Sequence, residues 1–306
     1  MQPEPTTPHK RGLIERATLV TLVGLSVLSV LGVATVSIYL NRISESTAGL
    51  TRARIMPGYA GRPDAVVGTN GNPAVNYLIM VSSDSTLDAV VVANLSASRR
   101  NLTLITVPAD LLNNATNNQT LATTYAVDPA ITSRTMEGLT DARMDHQILL
   151  DWDSFGAVID AMGGVNLGGN ELTGAEAVAL VTQAPDAQTA ADNCGAVLRA
   201  ALLAADDYSN LMNPSKMNQM ISALSDAVTL DSTLTNQVIK NTVVESSVHL
   251  AETQLWPVKT DPAPTGVGAT PDTAALSALQ SALDTPNLAE TQQYQQAAYI
   301  PREANR

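Results

Sequence analysis

One cysteine, one phenylalanine and two tryptophans are spread over 306 residues, and basic residues are outnumbered by acidic ones, 17 to 29. Each shortage excludes something. Cys194 has no second cysteine, which rules out an intramolecular disulfide and a thiolate metal site, so it reads as a small residue on a helix face. With aromatics at 3%, the core has to be filled by Val, Leu, Ile, Met and Ala. The shortage of positive charge is uneven. Up to Arg54, six basic residues face three acidic ones, a segment at +3, so the remainder carries −15 of the net −12. A body this acidic repels a phosphate backbone, which excludes general nucleic-acid binding. A hydrophobic content of 45% excludes wholesale disorder, and the length suffices for one or two domains with real cores.

What the chain has in abundance is a long uncharged run from Ala17 to Leu40. At ~1.5 Å per residue such a helix covers the ~30 Å hydrocarbon core of a bilayer with some tilt. The run is too long for a cleaved signal peptide and lacks a small-x-small cleavage site, so it reads as a retained signal anchor. Lys10, Arg11 and Arg16 sit in the short tail ahead of it, which places residues 1–16 in the cytoplasm and the body outside the cell membrane. Residues 41–72, with scattered Gly, Pro, Ser and Thr, read as a spacer.

Beyond the spacer, Tyr77–Val81, Ala89–Leu95 and Leu102–Val107 are strand-length runs of Val, Ile and Leu. "SASRRN" between the last two is a turn that leaves Arg99 and Arg100 solvated. Residues 112–120 form a polar loop. Asp128 and Pro129 open a helix that Gly138 stops, "DHQILLDW" is a strand, and Asp153 opens a helix that closes at Gly163–Gly164. "VNL" is a short strand, and Thr173 with Glu176 makes a capping box. Helices are expected over 187–207, 214–228 and 232–246, the last begun by Asp231. "TQLWPV" is a late strand, Thr270 and Pro271 start a final helix, and residues 286–306 form a loose tail. Alternation of strands and helices predicts an α/β domain over 73–285, with a sheet covered on both faces.

Asp84, Asp88 and Asp110 fall at the ends of neighbouring strands. Oxygen donors of this kind suit a hard cation such as Mg²⁺. Aspartates at such places also serve simply to cap turns.

The order of segments, with "NYLIMVSSDS", "LDAVVVANLSASRRNLTLITVPAD", "MDHQILLDWDSFGAVIDAMGGVNL" and "LTGAEAVALV", resembles the LytR-CpsA-Psr family across roughly residues 75–285. The resemblance implies an α/β/α sandwich with a mixed central sheet behind one transmembrane helix, and a hydrophobic tunnel for a polyprenyl tail. It also implies Mg²⁺-dependent transfer of glycopolymers from polyprenyl-pyrophosphate carriers onto peptidoglycan in Gram-positive envelopes. Asp84 in "SSDS" and Asp88 in "TLDA" match the family's metal-coordinating aspartates, and Asp110 in "PAD" matches a third aspartate that supports the site. The family's arginines have no counterpart. Ala109, Leu87, Thr182 and Ala184 stand in their places, and Asn193, Cys194 and Gly195 replace an arginine- and glutamine-rich helix. Arg199 remains nearby, with a register that puts it on the surface.

Losing one donor to developing phosphate charge can cost on the order of 10²–10³ in rate. The expectation is therefore a pseudoenzyme: no catalytic residue is assigned, no phosphate-binding residue is identified, and the module binds a polyprenyl-linked glycan lipid, peptidoglycan or a catalytic homologue. The alternative is an active phosphotransferase that recruits cations such as Arg62, Arg134 or Arg143. A transcriptional regulator is disfavoured by the anchor and by the acidic body.

Overall fold

The computed structural model describes residues 51–53, 59–113, 119–205, 214–235, 238, 248, 250–264 and 266–291. The expected membrane anchor at 17–40, most of the expected 232–246 helix and most of the C-terminal tail lie outside these residues. Among the described residues no helix is long and apolar enough to cross a membrane.

Thirteen strands are described: β1 (Thr51–Ala53), β2 (Val75–Ser83), β3 (Thr86–Leu95), β4 (Leu102–Pro108), β5 (Leu112–Asn113), β6 (Gln119–Thr120), β7 (His146–Asp151), β8 (Val165–Leu167), β9 (Asn170–Leu172), β10 (Val228–Asp231), β11 (Gln254–Pro257), β12 (Thr260–Pro262) and β13 (Ala269–Pro271). Seven of them form one mixed sheet in the order β1-β10-β7-β2-β3-β4-β11. The pairs β1–β10, β2–β7 and β4–β11 are parallel, whereas β2–β3, β3–β4 and β7–β10 are antiparallel.

The central strands read as unbroken apolar runs because both of their faces are covered. Tyr77, Ile79 and Val81 of β2 enter one core, and Leu78 and Met80 enter the other. Helices α3 (Trp152–Met162), α4 (Gly174–Thr182), α5 (Ala187–Ala205) and α6 (Pro214–Ala227) cover the first face. Helices α1 (Leu121–Val127), α2 (Pro129–Thr140) and α7 (Thr273–Leu283) cover the second. The result is the expected three-layer arrangement around a mixed sheet. Each buried Val, Leu or Ile contributes roughly 1.5–3 kcal/mol, so aliphatic residues suffice without many rings.

Helix boundaries depart from the sequence expectations in instructive ways. Helix α2 runs through Gly138 to Thr140 and ends at Asp141, whose φ of 50° is left-handed. Gly138 sits inside the helix because the left-handed residue that ends it is Asp141, not the glycine. Asp151, not Asp153, caps α3 by accepting the Ser154 N–H at 2.7 Å, since β7 runs into the helix without a loop. Asp272 caps α7, because Thr270 and Pro271 are used in pairing β13 with β12. The Thr173–Glu176 capping box forms as expected. The polar stretch 112–120 holds the paired strands β5 and β6 at its two ends.

Residues 228–231, read as the end of one helix and the start of another, are strand β10. Asp231 still acts as a cap, accepting the N–H groups of Thr233 and Leu234. Two arginines expected at the surface are buried. Arg99 is 7% exposed and donates to the carbonyls of Pro73 and Ser96. Arg199 is 5% exposed and donates to those of Thr253 and Ala251. Guanidinium groups in these places satisfy turn carbonyls that water cannot reach, which a helical register cannot reveal. The spacer contributes structure as well. Thr51–Ala53 forms an edge strand, and Arg62 and Tyr59 bind the buried Glu137 of α2.

Candidate functional site

Strands β2 and β3 are joined by Asp84 and Ser85 alone. Both have positive φ, 46° and 66°, the signature of a two-residue turn whose twist matches that of the hairpin. Asp84 therefore occupies the exposed tip of a hairpin.

Three residues further on, pairing slips: Val81 faces Ala89 but Ser82 faces Leu87, which leaves Asp88 as the extra residue of a β-bulge. Bulges re-aim side chains. Leu87 belongs to one core and Ala89 to the other, and Asp88 lies within electrostatic reach of Asp153 on α3 and Cys194 on α5. Its carboxylate accepts the Ser83 hydroxyl at 2.7 Å. Burial pushes the acidity of Asp88 down, so its pKa lies above the ordinary value; the Ser83 bond opposes that shift and Asp153 adds to it. Burial and then the Asp88 charge push the Cys194 thiol far up, so Cys194 is an inert core thiol.

The other strand ends bring more carboxylates to the same edge. Asp110 follows β4, and burial raises its pKa; its own backbone bond opposes that shift and the charge of Asp186 adds to it. Its Oδ1 is buried without a hydrogen-bond partner among the described residues. Asp192 of α5 accepts from Gln188 at 3.1 Å and from Thr106 of β4 at 3.4 Å. Its pKa is also raised, mainly by burial, with a contribution from Asp186. In the sequence Asp153 reads only as a helix cap, and Asp186 and Asp192 are not singled out. They lie on or beside helices, and only the packing of α3 and α5 brings them to the strand ends.

Among the described residues, no lysine or arginine shifts Asp88, Asp110 or Asp192. The three candidate cations are committed elsewhere. Arg62 pairs with Glu137 and donates to the Met144 carbonyl, Arg143 pairs with Asp145 at 3.0 Å, and Arg134 lies over the ring of Tyr59 at 4.8 Å. Met144 and Asp145 precede β7, at the opposite end of the sheet from Asp88. Asp88, Asp110 and Asp192 thus lie at one end of the sheet, and Arg62 and Arg143 lie at the other with their own partners Glu137 and Asp145.

The positions that the resemblance matched to the family's arginines are closed or neutral. Leu87 and Ala109 are 4% and 5% exposed in the apolar cluster under α1 and α2. Thr182 is exposed and bonds back to Val178 within its helix. Ala184 and Asn193 line an open groove of about 480 Å³ beside α4, together with Leu172, Ala179, Leu180 and Pro185. Gly195 packs so tightly on β4 that a Cβ there would meet the Thr106 methyl at 2.3 Å.

Among the described residues no group of three or more His, Cys, Asp or Glu side chains could hold a metal ion. Asp84 and Asp88 offer oxygen donors only, the chemistry a hard cation takes, and at the same end of the sheet Asp110 Oδ1 is a buried carboxylate oxygen without a partner among the described residues.

These features define a three-layer α/β domain with an acidic edge at its strand ends. Residues 65–183 match the LytR_cpsA_psr family, which supports the assignment made from the motifs. Among solved structures, the fold is similar to the LytR-Csp2A-Psr enzyme from Actinomyces oris, with 21% identity over 78% of this chain and 97% of that one and a TM-score of 0.59. It is also similar to TagV of B. subtilis, at 17% identity over 69% and 95% of the two chains with a TM-score of 0.54. TagT bound to LI-WTA aligns at 16% identity over 76% and 96%, with a TM-score of 0.52. No curated protein matches.

A stability measurement tests the electrostatics of this edge. A carboxyl group whose folded pKa is raised adds stability below its unfolded value, near 3.8, and loses it as pH rises through the folded value. Ionised Asp192 therefore costs stability at neutral pH. Asp192→Asn keeps an acceptor for Gln188 and Thr106 and is expected to raise Tm by roughly 1–3 °C at pH 7 after allowance for solvent screening. The gain should vanish in acid. A lower Tm at pH 7 would show that the charge is compensated.

Proposed function

We propose that this protein acts in cell-wall glycopolymer assembly as a membrane-anchored, extracytoplasmic LytR-CpsA-Psr-like module that binds a polyprenyl-linked glycan lipid, or a catalytic homologue, without efficient transfer. The observation that carries this reading is the edge of half-buried carboxylates Asp88, Asp110 and Asp192, on which no arginine or lysine among the described residues acts. The structure of TagT bound to LI-WTA, a wall teichoic acid, supports a lipid-linked polymer as the ligand class.

Asp84 and Asp88 would hold Mg²⁺, with Ser83 orienting Asp88 and Asp110 lying behind. When bound, the ion would offset phosphate charge. Asp88 supplies an oriented oxygen, and the apolar packing around Leu87 and Ala109 excludes water from beneath it. Binding of a polyprenyl tail depends on apolar area, at ~25 cal/mol per Å², and needs no arginine. Transfer needs donors aimed at the developing charge. The two abilities can therefore separate.

With Mg²⁺ and a polyprenyl-pyrophosphate donor, the purified protein is expected to show no measurable pyrophosphate release or polymer transfer. It should nonetheless co-extract a polyprenyl phosphate or a homologue from membranes. Asp88→Ala should leave its cellular role largely intact. Robust turnover abolished by Asp88→Ala would overturn this reading and establish the active transferase instead.

A further inference from the structure

We infer that the acidic end of the sheet faces the membrane, with the β12–β13 turn around Val267 directed at the lipid surface. The inference rests on the anchor at 17–40 in the reading above and adds the direction in which the domain points.

The path of the chain carries the argument. Thr51 pairs with Thr229 in parallel, β10 pairs antiparallel with β7 so that Val228 meets Leu150, and Leu150 meets Val81. Thr51 therefore enters at the edge of the sheet, at the end where β2 and β7 finish and where Asp84 and Asp151 lie, and β1 runs away from that end. Eleven residue steps separate Leu40 from Thr51, a reach of at most about 35–40 Å. A domain of roughly 250 residues has a radius of gyration near 18 Å and a diameter of about 45 Å. The tether is shorter than the body it holds, so the entry end stays nearer the bilayer.

The same end presents a surface suited to that position. The Val258 N–H donates to Thr106 and the Ala269 N–H to Asp110, which ties the β12–β13 hairpin to the end of β4. Its turn carries Gly266 and Gly268 at positive φ on either side of Val267, which is 67% exposed. An exposed apolar side chain on a narrow turn suits the headgroup boundary, where apolar groups are buried shallowly. At the far end, Ser96–Asn101 closes β3 onto β4 and carries the exposed Arg100. The carboxylates oppose close approach to anionic headgroups, so tether length rather than charge attraction sets this orientation.

Full-length protein in phosphatidylcholine vesicles tests the inference. Cys194→Ala gives a cysteine-free background, into which Val267→Cys or Arg100→Cys is introduced for a fluorescent donor, with an acceptor on the lipids. Transfer is expected to be roughly twofold higher or more from position 267, given the ~45 Å body between the labels. Equal or greater transfer from position 100 in vesicle-bound protein overturns the orientation while leaving the anchor intact. Protein that fails to float with the vesicles overturns the anchor and the orientation with it.

Discussion

Glu137→Ala is expected to destabilise the domain by ~3–5 kcal/mol, the range for removing one partner of a buried ion pair. The Glu137 side chain is fully buried, while that of its partner Arg62 is 18% exposed. Oε1 accepts from Arg62 Nε at 2.8 Å and from the Met144 N–H at 2.9 Å, and Oε2 accepts from the Tyr59 hydroxyl at 2.6 Å. Truncation strands three donors at once, and the cost is mainly that of leaving them unpaired. Burial first, and then the bond to Glu137, push the Tyr59 phenol up to about 12, so the clasp keeps its phenolic proton well into the alkaline range. For a domain of this size the fall in Tm should be on the order of 10 °C by thermal denaturation. Glu137→Gln should recover part of the loss, because it still accepts from Met144. A loss below ~1 kcal/mol would class the contact with surface pairs, which contribute little.

Gly174→Ala sets two effects against each other. Alanine inside a helix is better than glycine by ~1 kcal/mol, and Gly174 is the first residue of α4. Its Cβ, however, would lie 2.0 Å from the Gly156 carbonyl oxygen of α3 and 2.9 Å from Asp160 Oδ2. Backbone cannot swing aside as a flexible side chain does, so α4 must move off α3 and strain the 2.7 Å bond from the Gly174 N–H to Asp160 Oδ1. Overpacking of this kind costs typically 1–3 kcal/mol, and contact with backbone puts it at the upper end. The clash is expected to win, giving a net loss of ~2 kcal/mol or more in urea unfolding. A neutral or stabilising result would show that α3 and α4 can slide apart freely.

Much of the sheet was legible because its central strands are apolar on both faces and several end at proline or aspartate. "NYLIMV" and "LTLITV" could be little else. The capping box of Thr173 and Glu176 was also legible, since its partners are three residues apart. Strand β10 was not. "VTLD" follows directly on α6, and only its pairing with β7 makes it a strand. Burial of Arg99 and Arg199 was equally hidden, because their acceptors are carbonyls of Pro73, Thr253 and Ala251 rather than side chains with a sequence pattern. At the candidate site the sequence pointed to Asp84, Asp88 and Asp110, but it treated Asp153 as a helix cap and did not mark Asp186 or Asp192.

By itself, then, the sequence determines the α/β class, the apolar strands and the acidic body. These are properties of composition and short-range pattern, set by burial, by turn stereochemistry and by charge. Only the tertiary structure decides that Asp88 sits in a bulge within electrostatic reach of Asp153, that Asp84 is one of the two residues of an exposed turn, and that Arg62 and Arg143 serve the far end of the sheet. Such facts depend on strand register and helix packing, in which one unpaired residue turns a side chain toward the other face.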